Sequence, residues 1–493
     1  MKTLKNQKLK IPKEVLGIIE KLENEGFEAY IVGGCVRDLL LKRKPKDWDI
    51  TTDALPEQII SLFEETFYEN NYGTVGVVNK NVKDKSLEII EITPFRLETS
   101  YSDNRRPDSV AFSKKIEDDL KRRDFTINAI AYNPQKGTID LHSGEKDLKE
   151  KIIRTVGKPK ERFREDGLRI LRAIRLHAEL SFTLNTDTET AIKESAYLLE
   201  KISKERIRDE FTRIILSDNP SESIVLSQKL GVLKYIVPEL EKGIGIKQNK
   251  AHSFDVWTHS LKSLQHAVNK KWDISIRLAT LFHDIGKSYI REWSEEKKDW
   301  IFHGHDVVGA RITEKILKNL RFSKEITEKV FKLVRWHMFF SDTEKISLSA
   351  VRRLVSRVGK EDVWNLINVR MCDRIGTGRP KESPYRLRKY KSMIEEVMAD
   401  PVSVTMLRVD GNILMKELKM NPGPKIGHIL HALLENVLED PTLNKKNVLL
   451  KKAEKLVKLS DETLKNIGEK GKSRKEEEEG KKVKEIREKH WVK

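Results

Sequence analysis

The segment Ala29–Ile50, AYIVGGCVRDLLLKRKPKDWDI, decides the fold of the first part of this chain. Ala29 to Val32 is a short β-prone run, Gly33-Gly34 is a turn, and a helix beginning near Val36 aims its N-terminus at that turn. Glycines between a strand and a helix let backbone amides approach a phosphate, and the helix N-terminus adds a favourable potential for the anion. Arg37 supplies a fixed cation nearby. Residues two apart on a strand share a face, so Asp47 and Asp49 are expected to point together while Trp48 faces the other way. Paired hard oxygen ligands suit magnesium, and beside a bound triphosphate two metals can activate an attacking hydroxyl and stabilise leaving pyrophosphate. A lone Gly-Gly reads as a turn and a lone Asp-x-Asp as a cap; their close succession reads as a site.

Working outward, Lys13 to Glu25 and Pro56 to about Glu65 carry helical periodicity. Trp48–Ile50, Thr74–Val78, Leu87–Ile92 and Ala129–Tyr132 are further strand candidates, which makes a small α/β domain ending near residue 155. From Pro159 to about Leu240 the pattern is wholly helical, and it continues so from His259 to Ile375. GTGRPKESP, Gly376 to Pro384, breaks it and opens a second basic helical region. The stretch from about Asn466 is nearly all charge, and a disordered tail or a loose solvated helix is expected there.

The 493 residues, 38% hydrophobic, suffice for several cores. Lys and Arg total 95 against 77 acidic residues, and the net charge of +18 favours a polyanionic partner, nucleic acid first. No apolar run approaches the roughly 20 residues of a membrane span, and MKTLKNQKLKIPK lacks the apolar stretch of a signal peptide, so a soluble cytoplasmic protein without a membrane partner is expected. Cys35 and Cys372 are too few for a disulfide framework and lack zinc-ligand spacing, so both read as packing residues.

Two further stretches carry chemistry. In VGKPKERFREDGLRILRAIR, Val156 to Arg175, a spacing of three is expected to align Asp166, Arg169, Arg172 and Arg175 on one helical face. An Asp beside an Arg offers an acceptor next to donors, which matches the edge of cytosine and adenine. Taken alone, the pattern reads first as a salt-bridged surface helix, and what precedes it in the chain turns the reading toward a site. Further on, His259, His283-Asp284, His305, His337 and Asp373 form the order H…HD…H…H…D around LATLFHDIGK, Leu278 to Lys287. Imidazoles and carboxylates in this mixture suit a transition metal or a two-metal site that activates water against a phosphate ester.

GGCVRDLLL, KDWDITTDA, RRPDSVAF, RRDFTINAIAY and Glu165-Asp166-x-x-Arg169 occur in the order seen in class II tRNA nucleotidyltransferases, the CCA-adding enzymes, and residues 27–215 resemble that family. The resemblance implies a polymerase-beta-like α/β head with a small mixed sheet, followed by all-α neck, HD and tail domains. It implies Asp47 and Asp49 as Mg2+ ligands, Glu91 as a third carboxylate, and Gly33, Gly34, Arg37 and Asp38 around the triphosphate. Arg123, Asp124 and Asn128 fall where the family recognises the ribose. Asp166 and Arg169, with Arg172 and Arg175, would read the incoming base in place of a nucleic-acid strand, and Glu205 and Arg206 would brace that helix. TSYSDNRRPDSVAF, Thr99 to Phe112, with Arg105 and Arg106, resembles the flexible loop of enzymes that add the terminal A. The YGTVGVV strand, Tyr72 to Val78, departs from the more basic motif of poly(A) polymerases.

The second region resembles an HD phosphohydrolase domain. By that resemblance His259, His283, Asp284 and Asp373 hold a first divalent transition metal such as Ni2+ or Mn2+, with His305 and His337 available for a second and Lys287 near the phosphate. The expected division is head 1–155, neck 156–245, HD domain 250–378, tRNA-binding region 379–460 and charged tail 461–493. The expected partners are tRNA, CTP and ATP, not DNA. Arg386, Arg388, Lys389 and Lys391 would follow the tRNA backbone, whereas Ile426, Ile429, Leu430, Leu433 and Leu434 have core spacing. Completion of CCA, addition of A alone, poly(A) synthesis, an HD hydrolase with a relic head, and a non-catalytic RNA-binding protein all remain in view.

Overall fold

In the computed structural model, which describes residues 9–68, 73–98, 110–249, 252–339, 346–398, 407–439, 441–460, 462–464, 466–467 and 483–492, the axis of the first domain is β1, Ala29–Val32. All four of its residues are buried. β1 pairs antiparallel with β2, Asp49–Thr52, on one side and, on the other, with the strand Ile130–Asn133. In chain order the head strands are β3 Thr66–Tyr68, β4 Val75–Val78, β5 Ile89–Pro94, β6 Arg96–Glu98, β7 Val110–Phe112, β8 Ile130–Asn133 and β9 Gly137–Asp140. Seven form one mixed sheet in the order β3-β4-β5-β2-β1-β8-β9, and β6 and β7 pair separately. The single parallel pairing, β2 with β5, puts Asp49 directly beside Glu91.

The helix Lys13–Asn24 packs on β1 through Val15, Ile18, Ile19 and Leu22. That i, i+3, i+4, i+7 spacing presents one apolar stripe, and truncating the fully buried Leu22 to Ala costs about 2–5 kcal/mol. β3 and β9 extend the sheet beyond the strands expected from the sequence. Asp47 corrects another expectation: it lies in a bend before β2 rather than on a strand. The register explains why. Ile31 faces Ile50, so a longer β2 would need Gly33 as a partner, and Gly33 turns away with φ +82°.

The chain divides into two compact units, Met1–Arg335 with Cys372–Gly378, and Trp336–Met371 with Arg379–Lys493. Beyond the head, the first unit is helical apart from two small strand pairs that the periodicity did not reveal, Ile152–Ile153 with Thr183–Leu184 and Glu292–Ser294 with Asp299–Ile301. The second unit has its own core, in which Ile426, Ile429, Leu430, Leu433 and Leu434 are buried as their spacing predicts. Residues 483–489 are helical, and Arg487 and Lys489 pair with Glu396 and Glu395 of the same unit. Among the described residues no helix is long and apolar enough to cross a membrane.

Candidate active site

The head site is built at the Gly33-Gly34 turn, where β1 ends and the helix Gly34–Leu40 begins. Only glycine suits position 33. Its φ is +82°, and a Cβ there would stand 3.1 Å from Nη1 of Arg123 and 3.6 Å from Oδ2 of Asp49. A Cβ on Gly34 would lie 3.8 Å from Oδ1 of Asp47. The two aspartates therefore meet at the turn as expected, although Asp47 arrives from a loop. Burial, then Asp47 and Glu91, raises the Asp49 carboxyl to about 7, against the opposing pull of Arg123 and Arg172. The repulsion that Asp47 and Glu91 exert on Asp49 favours a hard divalent cation beside it.

Behind the turn runs a connected polar network. Arg37 donates from Nε to Oδ1 of Asp38 (3.0 Å) and from Nη1 to Oδ1 of Asn128 (2.7 Å). Nδ2 of Asn128 donates in turn to Oδ1 of Asp124 (3.1 Å), and Arg172 sits 3.1 Å from the other oxygen. Burial alone would raise the Asp124 carboxyl, but Arg172 and the hydrogen bond from Asn128 outweigh it and hold the group below its ordinary range. Arg123 is steered by the fully buried Asp119, at 2.9 Å. The structure thus brings together Gly33, Gly34, Arg37, Asp38, Asp47, Asp49, Arg123, Asp124, Asn128 and Arg172. Asp119 was missed; a buried acid in an otherwise charged helix gives no signal in sequence.

Asp166 and Arg169 sit next to this network but not on one helical face. Asp166 has extended backbone, φ −143°, before the helix Leu168–Leu180, and its Oδ1 accepts the Leu168 N–H at 3.0 Å. A short acidic side chain ahead of a helix takes one of the first N–H groups, and that preference displaces it from the helical face. Arg206 donates to both carboxylate oxygens, at 3.2 and 2.8 Å. Arg169 donates to Glu165 (2.5 Å) and to the carbonyls of Arg162 and Arg122, both 3.1 Å. Arg175 does not join them. It is buried, with Nε 2.6 Å from Glu210 and Nη1 2.9 Å from Glu179, so it braces two helices. The loop carrying Arg105 and Arg106 falls outside the described residues, which resume at 110.

The second constellation gathers in the first unit. Nε2 of His259 lies 2.9 Å from Nε2 of His283, 3.1 Å from Asp284 and 3.3 Å from Asp373. One donor atom from each of these four buried residues lies within 4.8 Å of the others. Two imidazoles and two carboxylates at that spacing fit a divalent metal. The outer shell is in place as well: the Thr280 carbonyl lies 2.7 Å from Nδ1 of His283, fixing which ring nitrogen faces inward. His305 reaches Asp284 at 3.3 Å, its Nδ1 is held by the Phe302 carbonyl, and Lys287 pairs with Asp284 at 2.6 Å. His337 is buried just past the helix Lys324–Trp336, in the second unit. Gln248, which accepts from Lys287 at 2.7 Å, and His252, edge-on to His259, were not foreseen. Gly286 is required because a Cβ there would strike the His305 carbonyl and the Gly309 backbone, separating the segment of Asp284 from that of His305.

Without a cation this cluster neutralises itself. Burial pushes the His283 imidazole down, but Asp284 ahead of Asp373 lifts it to about 10. Burial pushes the Asp284 carboxyl up, and Lys287 and His283 together hold it well below the carboxylate range.

The chain is similar to known proteins over most of its length. Residues 29–154 match the poly A polymerase head domain, 181–244 the probable RNA and SrmB-binding site of polymerase A, and 256–377 the HD domain. A CCA-adding enzyme of Lactobacillus helveticus is 32% identical over 445 residues, 90% of this chain and 97% of that protein. The crystal structure of the Bacillus stearothermophilus CCA-adding enzyme in complex with CTP is similar with a TM-score of 0.61 and 28% identity, covering 90% of this chain and 97% of that one. A Thermotoga maritima CCA-adding enzyme complexed with tRNA shares the fold at 20% identity, TM-score 0.50, over 90% of this chain and 96% of its own.

Proposed function

The chain belongs to the CCA-adding enzymes, a family of nucleotidyltransferases, and from that premise we propose that it builds or repairs the 3′-terminal CCA of tRNA from CTP and ATP with release of pyrophosphate. The observation that carries this reading is the approach of Asp47 and Asp49 to the Gly33-Gly34 turn, with Glu91 the strand partner of Asp49. Asp47 and Asp49 hold Mg2+ there, and the bound ion supplies a polarised 3′-hydroxyl and charge compensation for the leaving group. Gly33, Gly34, Arg37 and Asp38 seat the triphosphate, and Arg123, Asp124 and Asn128 hold the ribose.

Asp166 and Arg169 read the base. A carboxylate offers about four lone-pair sites; Arg206 and the Leu168 N–H use three of those on Asp166, which leaves an acceptor for an exocyclic amine. Arg169 has three N–H groups engaged among the described residues, out of about five on a guanidinium, so donors remain for a ring nitrogen or carbonyl. Arg206 holds Asp166 aimed. Arg172, drawn on by Asp124, Glu210, Asp166 and Asp49 in that order, ties base reading to the acids of the turn.

Incubating the purified protein with tRNA lacking its 3′ end and each labelled nucleoside triphosphate tests the reading. Incorporation of C and then A, lost in Asp47→Ala, is expected; no incorporation, or an Asp47→Ala variant equal to wild type, would refute it. The buried His259, His283, Asp284 and Asp373 set supports a second activity, metal-dependent hydrolysis of phosphates at RNA 3′ ends, with Lys287 beside the phosphate. Phosphate release from a 2′,3′-cyclic end, compared between wild type and His283→Ala, checks that activity.

A further inference from the structure

Glu179 occupies an unfavourable position for an acid. It lies in the last turn of the helix Leu168–Leu180, where the helix dipole repels negative charge, yet its side chain is only 10% exposed. A carboxylate is kept there by cations. Arg175 lies 2.9 Å from Oε2, Arg213 of the helix Lys204–Leu216 lies 3.2 Å from Oε1, and Lys46 lies 3.5 Å from Oε1. Arg43 adds a hydrogen bond of 2.9 Å to the Glu179 carbonyl.

Two of these four cations belong to one loop, Leu41 to Trp48, and Lys46 directly precedes Asp47. That loop is anchored at Pro45 and Trp48, both buried, and by the Trp48 carbonyl, which accepts the Glu91 N–H at 3.2 Å; Lys46 and Asp47 between them are exposed. Lys42 has φ +58°, the Arg43 N–H bonds back to the Asp38 carbonyl at 2.7 Å, and Lys44 pairs with Asp84 at 2.7 Å. Asp47 itself has no strand partner, so between the anchored Pro45 and Trp48 its side chain is placed by the short exposed stretch it shares with Lys46. The helix that ends in Glu179 begins with Arg169 and Arg172. One rigid element of 13 residues therefore touches the base-reading residues at one end and the Asp47 loop at the other.

We propose that Glu179 is a positioning residue of the transfer site, its carboxylate gripping Lys46 while its backbone carbonyl anchors Arg43, so that the neighbouring Asp47 is held in place among the metal-binding acids. This rests on the head being the Mg2+-dependent transfer site. Glu179 touches no substrate; it sets how strongly the acids bind the ion.

The test is Mg2+ binding to the protein with nucleoside triphosphate present, followed by calorimetry, beside the Mg2+ midpoint of nucleotide incorporation into tRNA lacking its 3′ end. Glu179→Gln is expected to raise the Mg2+ midpoint about tenfold, the lower range for loss of an outer-shell partner. Lys46→Met, at a side chain 69% exposed, shifts it in the same direction, and the double variant is no worse than Glu179→Gln. Arg213→Met removes a cation from the same carboxylate without touching the loop, so it lowers the melting temperature and leaves the midpoint within about twofold. A wild-type midpoint in both Glu179→Gln and Lys46→Met overturns the proposal, as does an Arg213→Met shift as large as that of Glu179→Gln. Should Glu179→Gln fail to fold, the Lys46→Met midpoint decides alone. If Asp47→Ala incorporates like wild type, the head reading falls and this inference with it; if Asp47→Ala is inactive while both midpoints stay normal, only the inference falls.

Discussion

The turn at Gly33-Gly34 and the histidine cluster around His283 both gather acids for a metal, but they balance charge in opposite ways. At the turn, Asp49 faces Asp47 and Glu91, and its carboxyl is lifted to about 7 by burial and by those neighbours. In the cluster the acids bring their own counter-ions: His259, His283 and Lys287 stand within 3.3 Å of Asp284. On the proposed function, the crowded acids of the first site would take a hard ion that arrives with a triphosphate. The second sets His283 and Lys287 against its acids, and a metal there must displace a proton from His283. The difference matches a site that binds its ion transiently with substrate against one that keeps a resident ion.

Separate disruption is the harshest way to break the comparison. Asp49→Ala is expected to lower nucleotide incorporation on the order of a thousandfold while leaving metal in the histidine cluster. His283→Ala should do the reverse, emptying the cluster with incorporation changed by no more than about twofold. Metal content by elemental analysis and incorporation into tRNA, measured on the same preparations, read both. An incorporation-dead His283→Ala that is still folded would mean that the two centres are one device.

The pH dependence of metal binding separates them next. His283 titrates near 10 in the metal-free protein, so at neutral pH its imidazole is protonated, and a metal, which needs the bare nitrogen, must expel that proton. Affinity at the cluster should climb about tenfold per pH unit for each proton released, up to about pH 10. At the turn only Asp49 must ionise, so Mg2+ affinity should climb through about pH 7 and then level off. Calorimetry in two buffers of different ionisation heat counts the protons. A cluster whose affinity is flat between pH 7 and 9 would remove the contrast.

How much of this was legible in sequence depended on range. β1, the Gly33 turn and the short helix after it are local, and the motif HDIGK puts His283, Asp284, Gly286 and Lys287 within one turn of chain. The errors came where local preference met a distant partner. Arg175 shares the three-residue spacing of Arg169 and Arg172, but Glu210, thirty-five positions on, takes its guanidinium. Asp166 reads as a helical-face residue until its competition for the Leu168 N–H is considered. Partners such as the Thr280 and Phe302 carbonyls have no side-chain signature at all. The hairpin Glu292–Ser294 with Asp299–Ile301 did leave a trace, two tryptophans flanking a charged turn, which pair at 5.1 Å.

The smallest expected effect bears most directly on the contrast, because the two sites should shift stability with opposite sign. A carboxyl that titrates near 7 when folded and near about 4 when unfolded makes the folded chain bind more protons between those values. Stability therefore falls as pH rises through that window, and above it the whole penalty of the ionised Asp49 is present. Asn at position 49 keeps the shape and never ionises, so Asp49→Asn should melt a few degrees higher than wild type, about 2–4 °C, at pH 8 in chelator and no higher near pH 4. Excess Mg2+ should shrink the gain by neutralising the wild-type acids. His283 has the other sign. Its raised imidazole contributes stability that is fully present below about pH 6.5 and is lost as pH rises through about 10. His283→Gln, which leaves Asp284 and Asp373 short of a counter-ion, should therefore lower the melting point most at pH 6. An Asp49→Asn variant that melts at or below wild type at pH 8 would show that the turn is not strained by its own charge, and the two sites would differ in ligands alone.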